Sequence, residues 1–338
     1  MYLRTITSIR CVPFGIHAAQ QDSIRELLCR DPNLRGGSSA LYHYTPQRYT
    51  PAPEGFEALY IEHMGRHGSR THASPTLDKQ LRDQLAATDS AGMLTPKGER
   101  LLADLKTLCD HMYRRYGDLT RHGREQHRQI ARRMYANFPE VLGAEGEVPA
   151  ISALVPRCAV RLFPSVQSGR GVPTVSQRSR VAQGLRRLRC IAARSRPSGT
   201  LLKNDQTAAI PDPRVFMAVL YSLAAITSDT EFGLSFYDYF TEEERFALWR
   251  VASLREYLPK MNSAPSRGLS IDMAKPLMRQ LLGSAQKAVD GGEVCAALRF
   301  GHGEDTMPPS VILEVADPYY DREDSAPIAA TKSPACRT

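Results

Sequence analysis

The chain has 338 residues, 42% of them hydrophobic and 24% charged, with a formal net charge of +8. That length suits one large domain, or a core interrupted by an inserted subdomain, and the composition is ordinary for a soluble globular protein. The longest apolar stretch, Val215 to Ile226, is too short to span a bilayer, so no transmembrane helix is predicted.

The basic character belongs to one segment. Residues 158–199 hold nine Arg and no Lys, Asp or Glu, and without them the remainder carries about −1. The seven cysteines, Cys11, Cys29, Cys109, Cys158, Cys190, Cys295 and Cys336, include no C-x-x-C pair. Their scatter fits neither a zinc site nor a small disulfide framework.

Residues 1–45 read as a lead-in. Its first part carries Arg4 and Arg10 before the poor apolar stretch Cys11 to Ile16, the pattern of a degenerate secretory signal. Residues 30–55 are rich in Pro, Gly, Ser and Tyr and read as extended. Phe56 to Glu62 is predicted as a strand that feeds a loop over Gly65 to Arg70. Leu77 to Ala87 is predicted as a helix. Leu101, Leu102, Leu105, Leu108, Met112 and Tyr116 recur at helical spacing, between Pro96 and Gly117. Ile130, Ala131, Met134, Tyr135 and Phe138 mark the next helix, closed before Pro139.

Further on, Val215 to Ile226 reads as a buried helix. Thr241-Glu242-Glu243-Glu244 reads as a capping box opening another. Met273 to Val289 is helical up to Gly291-Gly292, and Val294 to Phe300 is a strand feeding His302. The elements imply an α/β core interrupted by helices. The expected layout is core over 46–125 and 270–338, with an α-helical cap over 126–269.

Two strings carry chemistry: Arg66-His67-Gly68-Ser69-Arg70, and Arg299-Phe300-Gly301-His302-Gly303-Glu304-Asp305. Each follows a predicted strand, and ligands in open α/β sheets bind beyond the carboxyl ends of strands. A phosphoryl group in transfer carries charge on its equatorial oxygens and needs fixed cations, which Arg66 and Arg70 supply. A neutral His67 can attack phosphorus directly. Glu304 or Asp305 can protonate the leaving oxygen and later activate water, and a carboxyl among phosphates should have a raised pKa.

Arg66-His67-Gly68-x-Arg70 resembles the signature of the histidine acid phosphatases. His302-Gly303-Glu304 resembles the variant second motif of their multiple inositol polyphosphate phosphatase branch. Leu119-Thr120-x-x-Gly123-x-x-Gln126-His127, running into Ile130-Ala131-x-Arg133-Met134, and Val155-Pro156-Arg157-Cys158 resemble further segments of that branch. The likeness covers most of 40–157 and 203–308. It implies a phosphoglycerate-mutase-like three-layer core with an inserted α-helical cap. It also implies phytate-type substrates and a periplasmic or secreted location. His67 is then the nucleophile, Arg66, Arg70, Arg157 and His302 bind the scissile phosphate, and Glu304 is the proton donor, with Asp305 beside it as the alternative. No cofactor or metal is implied. The expected partner is a small polyphosphorylated molecule, not nucleic acid or membrane.

Four departures stand out. Thr71-His72 replaces the Pro often found after the second Arg. Two adjacent carboxylates leave the donor ambiguous. Family-like sequence also stops at Arg157-Cys158 and resumes near Leu202. The Arg-only segment between reads as a stretch translated out of frame or a solvated linker, in preference to a polyanion-binding arm, because it lacks Lys and its only aromatic is Phe163. After Pro309 the sequence is polar, and the closing strands the resemblance implies are not visible in it.

Competing readings of the same residues are a general acid phosphatase or mutase on the same core, and a non-catalytic phospho-ligand-binding relative. His63 and His67 have metal-ligand spacing, but Gly65 between them argues against a helix-borne site. Arg121-His122-Gly123 has no strand before it and reads as helix surface near a cap. His72, His122 and His127 are expected to be solvated or capping.

Overall fold

Three short parallel strands form the sheet: β1 (Ile61–Arg66), β2 (Ala150–Ser152) and β3 (Ala296–Gly301), with β3 in the middle. The computed structural model describes residues 21–42, 44, 46, 51–143, 145–153, 201–203, 210–228, 231–263 and 268–313. The expected signal, Arg157, the segment 158–199 and the end of the chain lie outside the described residues.

The helices in chain order are α1 (Gln21–Arg30), α2 (Thr76–Ser90), α3 (Pro96–His111), α4 (Arg121–Asn137) and the short α5 (Pro139–Leu142). After β2 come α6 (Pro213–Thr227), α7 (Glu242–Lys260), α8 (Leu269–Val289) and, after β3, α9 (Gly303–Ile312). Among the described residues no helix is long and apolar enough to cross a membrane. The expected α/β class is the one found, with helices greatly outnumbering strands.

Sequence chemistry explains the helix starts. Thr95 caps α3 by accepting from the Gly98 N–H at 3.2 Å, with Pro96 just inside the helix. The expected capping box of α7 is present. Thr241 Oγ1 accepts from Glu244 N at 3.2 Å, and Glu244 Oε2 accepts from Thr241 N at 2.8 Å. The helix predicted to run on to Tyr116 stops at His111 instead. Arg114 at φ 61 and Gly117 at φ 83 turn the chain in the left-handed region, which no helix can continue through. Met112 still packs in the core.

The main apolar core lies among the helices. Leu81 and Leu85 of α2 meet Leu101, Leu105 and Leu108 of α3, Phe216 and Leu220 of α6, Phe236, and Leu248 of α7. The sheet has a different anchor. Arg299 of β3, buried to 5% exposure, donates to Glu62 of β1, and its Nη2 donates to Ser284 Oγ of α8 at 2.9 Å. Tyr60 OH donates to the other Glu62 oxygen at 2.8 Å. Breaking one side of such a buried pair leaves an uncompensated charge, so β1, β3 and α8 are tied together.

Two strand assignments move. β1 begins five positions later than predicted and takes in Arg66; Phe56 and Leu59 of the expected strand are exposed to 58% and 59%. Alternating apolarity alone cannot say which residues meet a partner strand. β2 comes from the stretch read as cap, and lies on the far side of β3 from β1.

Candidate active site

Parallel pairing brings the two sequence motifs together. Arg66 is the register partner of Gly301, and His67 N donates to Gly301 O at 3.1 Å. The residues just past both strand ends therefore lie side by side. The His67 and His302 rings sit edge to face with centroids 5.2 Å apart. On the other side of β3, Ala153 N, just past β2, donates to Phe300 O at 2.9 Å.

His67 has a defined tautomer. Its Nδ1 lies 2.9 Å from Gly68 O, and a carbonyl can only accept, so Nδ1 carries the proton and Nε2 keeps its lone pair. Arg70 Nε donates towards Nε2 at 3.4 Å. Burial, with the Arg66, Arg70 and His302 charges added, pushes the His67 imidazolium down to about 4 despite its bond to Gly68. In mild acid the ring is neutral and nucleophilic.

Both motif arginines are held by the backbone. Arg66 Nη1 donates to Ser38 O at 2.7 Å, and Arg70 Nη1 donates to Thr71 O at 2.8 Å. The buried Arg66 Nε has no hydrogen-bond partner among the described residues. Such an orphaned donor is costly unless something accepts from it.

The adjacent carboxylates do different jobs. Asp305 Oδ2 accepts from the His302 backbone N–H at 2.9 Å, which caps α9 and fixes His302 at its entrance. Glu304 points elsewhere: its Oε1 lies 3.0 Å from Lys260 Nζ at the end of α7, and its side chain is 64% exposed. Burial raises the Glu304 carboxyl, but its own backbone N–H, Lys260 and His302 outweigh that and hold it below the usual value. The raised carboxyl expected from sequence requires bound phosphates. Without them the neighbours are cationic.

The loop 67–70 rests on the start of α4. Thr120 caps this helix through Gly123 N at 2.9 Å, and its own N–H donates to Ser69 O at 3.0 Å. Gln126 Oε1 accepts from Ser69 N at 2.9 Å. Gly68 and Gly123 touch backbone to backbone, and a Cβ on either would strike the other strand of chain. Gly123, read from sequence as helix surface, is thus buried against the nucleophile's loop, while His122 is exposed.

Two histidines expected in solvent are buried. His127 is 6% exposed and packs edge-on against Phe300. His72 is 8% exposed; its Nδ1 lies 2.6 Å from Asp78 Oδ1 and its Nε2 lies 3.2 Å from Ser222 Oγ. His72 is satisfied by Asp78 and by the distant Ser222, whereas the buried His127 Nε2 has no hydrogen-bond partner among the described residues; no local pattern announces either burial. The missing Pro is also explained. Thr71 N donates to Asp118 O at 3.0 Å, a bond Pro cannot make, and Thr71 Oγ1 donates to Arg115 O at 2.6 Å. His63 packs on Phe300, with ring centroids 5.5 Å apart. The sequence assigns no role to Lys260 or Gln126. Gln126 stood inside a motif of the resemblance, and Lys260 had no signal at all.

No protein-family model and no curated protein matches the chain. Solved structures do match. The multiple inositol polyphosphate phosphatase of Bifidobacterium longum in complex with inositol hexasulfate superposes with a TM-score of 0.67 at 17% identity, over 83% of this chain and 81% of that one. The chain has that protein's fold. Its phosphate complex and apo form superpose with TM-scores of 0.66 and 0.63, each at 17% identity and over 83% of this chain and 80% of the other. At that identity the likeness speaks for the fold, and the chemistry rests on the residues.

Proposed function

We propose that the protein is a phosphomonoester hydrolase acting on inositol polyphosphates through a phosphohistidine at His67. The observation that carries this is the neutral, Nε2-acceptor tautomer of His67, set beside His302 and between two arginines. The solved neighbour's complexes with inositol hexasulfate and phosphate support the substrate class.

In the first step the Nε2 lone pair attacks phosphorus and the ester P–O bond breaks. The leaving alkoxide takes the proton of Glu304. Arg66, Arg70 and His302 compensate charge on the equatorial oxygens, with Arg157 assigned the same role by resemblance. In the second step water attacks the phosphohistidine, Glu304 takes its proton, and His67 Nε2 leaves with its lone pair restored. Asp305 is assigned to capping, because its carboxylate is already bonded to the His302 N–H. Export to the periplasm or medium belongs to the same proposal, and fractionation of expressing cells tests it.

The experiment is phosphate release from phytate in mild acid, comparing wild type with His67→Ala. Release by wild type that is lost in the variant is the expected result. Equal rates would overturn the role of His67. Thermal stabilisation by phytate without release would point instead to a phospho-ligand-binding protein. Faster turnover of small sugar phosphates than of phytate would favour a general acid phosphatase or mutase.

A further inference from the structure

We infer that Lys260 is a positioning residue for the proton donor: it holds the Glu304 carboxylate at the start of α9 and, with Glu256, sets the pH at which that carboxylate gains its proton. The inference rests on the proposed role of Glu304.

Lys260 is the last residue of α7, far from both motifs in sequence. Its side chain is only 15% exposed, unusually covered for a lysine. Two carboxylates hold the ammonium there. One is Glu256, a turn earlier on α7, in a close ion pair; the other is Glu304, at 3.0 Å. The ammonium also lies across the first turn of α9, where a Cβ on Gly303 would stand 3.6 Å from Nζ.

This arrangement makes an adjustable acid. A general acid must hold its proton at working pH, and a cation in contact opposes that. The charged groups acting on Glu304 are Lys260 from α7 and His302 from the end of β3, both favouring the ionised form. Glu256 competes for Lys260 and weakens its pull. Removing Lys260 and removing the Glu256 charge must then move Glu304 in opposite directions. A scaffold role for Lys260 would not produce that pairing.

The test uses the full chain and the variants Lys260→Met, Lys260→Arg and Glu256→Gln. In glutamate-labelled protein without substrate, the Glu304 carboxyl carbon is followed by NMR across pH and assigned as the signal missing from Glu304→Gln. The titration should move to higher pH in Lys260→Met, return towards wild type in Lys260→Arg, and move to lower pH in Glu256→Gln. The alkaline limb of phytate turnover should shift in the same order, since substrate ionisation is common to all variants. An unmoved titration in Lys260→Met, or shifts of one sign in Lys260→Met and Glu256→Gln, would overturn the inference. A wild type that titrates as described but releases no phosphate would overturn the proposed hydrolase and leave the Lys260–Glu304 coupling standing.

Discussion

His67 and His302 meet edge to face, ring centroids 5.2 Å apart, because Arg66 and Gly301 are partners in the parallel β1–β3 ladder. Each histidine is the first residue beyond its strand. No loop has to find its target; the sheet register delivers both rings to one place. His302 is held a second time, by the Asp305 cap on its backbone N–H. A rigidly placed donor beside the transferring group acts mainly in the transition state. His302→Ala should therefore lower kcat on phytate by about a hundredfold or more, with an unchanged far-ultraviolet spectrum. A loss confined to KM would show that His302 only binds.

The acid limb of activity should lie near the low pKa of His67. Its imidazole is pushed down to about 4, first by burial and then by the arginines and His302. Above that pH the ring is neutral and can attack; below it the lone pair is lost, so kcat/KM should fall as pH drops through about 4. Arg70→Ala removes one of the opposing cations, so its acid limb should move to higher pH. A limb left in place by Arg70→Ala would mean that the arginine's charge does not reach the ring.

Glu304 and Asp305 should separate by leaving group. A proton donor matters most when the departing alkoxide is basic, as an inositol oxygen is, and least for a nitrophenolate. Glu304→Gln should slow phytate hydrolysis by about 10²–10⁴-fold while sparing para-nitrophenyl phosphate. Asp305→Ala removes a cap and should cost about 1 kcal/mol of stability, read as a lower denaturant midpoint, with both substrates affected alike. Equal sensitivity of Glu304→Gln to both leaving groups would remove it as the acid.

Much of this site was legible in the sequence, for reasons that differ by residue. Arg66, His67, Arg70, His302 and Glu304 stand within short motifs after apolar runs, where local order and chemistry coincide. The helices were visible because α3 and α7 announce their starts through Pro96 and the Thr241 capping box. β2 was not visible, since three residues carry no period. Burial of His72 and His127 was not visible either. The Asp78 and Ser222 that satisfy His72 are brought to it by α2 and α6. Lys260 was beyond reach, because its meaning comes from Glu304, which only tertiary packing brings near.

The contact between Gly68 and Gly123 gives the last prediction. A Cβ on Gly123 would come within 2.7 Å of Ser69 N and closer still to Ser69 O, both backbone atoms that cannot swing aside. Gly123→Ala must therefore push the loop that carries His67 away from α4, or push α4 from the loop. Overpacking of this kind costs about 1–3 kcal/mol. The displaced loop also loses the Ser69 bonds to Thr120 and Gln126. Activity should fall further than stability does, because misplacing a reacting group by about 1 Å can cost about a hundredfold in rate. Gly283 is the control. It lies inside α8, where an added Cβ meets nothing within 4 Å. Gly283→Ala should raise stability by about 0.5–1 kcal/mol through the lower chain entropy of alanine, with phytate turnover unchanged. If Gly123→Ala matched Gly283→Ala in rate and melting temperature, the loop would not depend on α4 for its position, and the support assigned to Gly123 would be wrong.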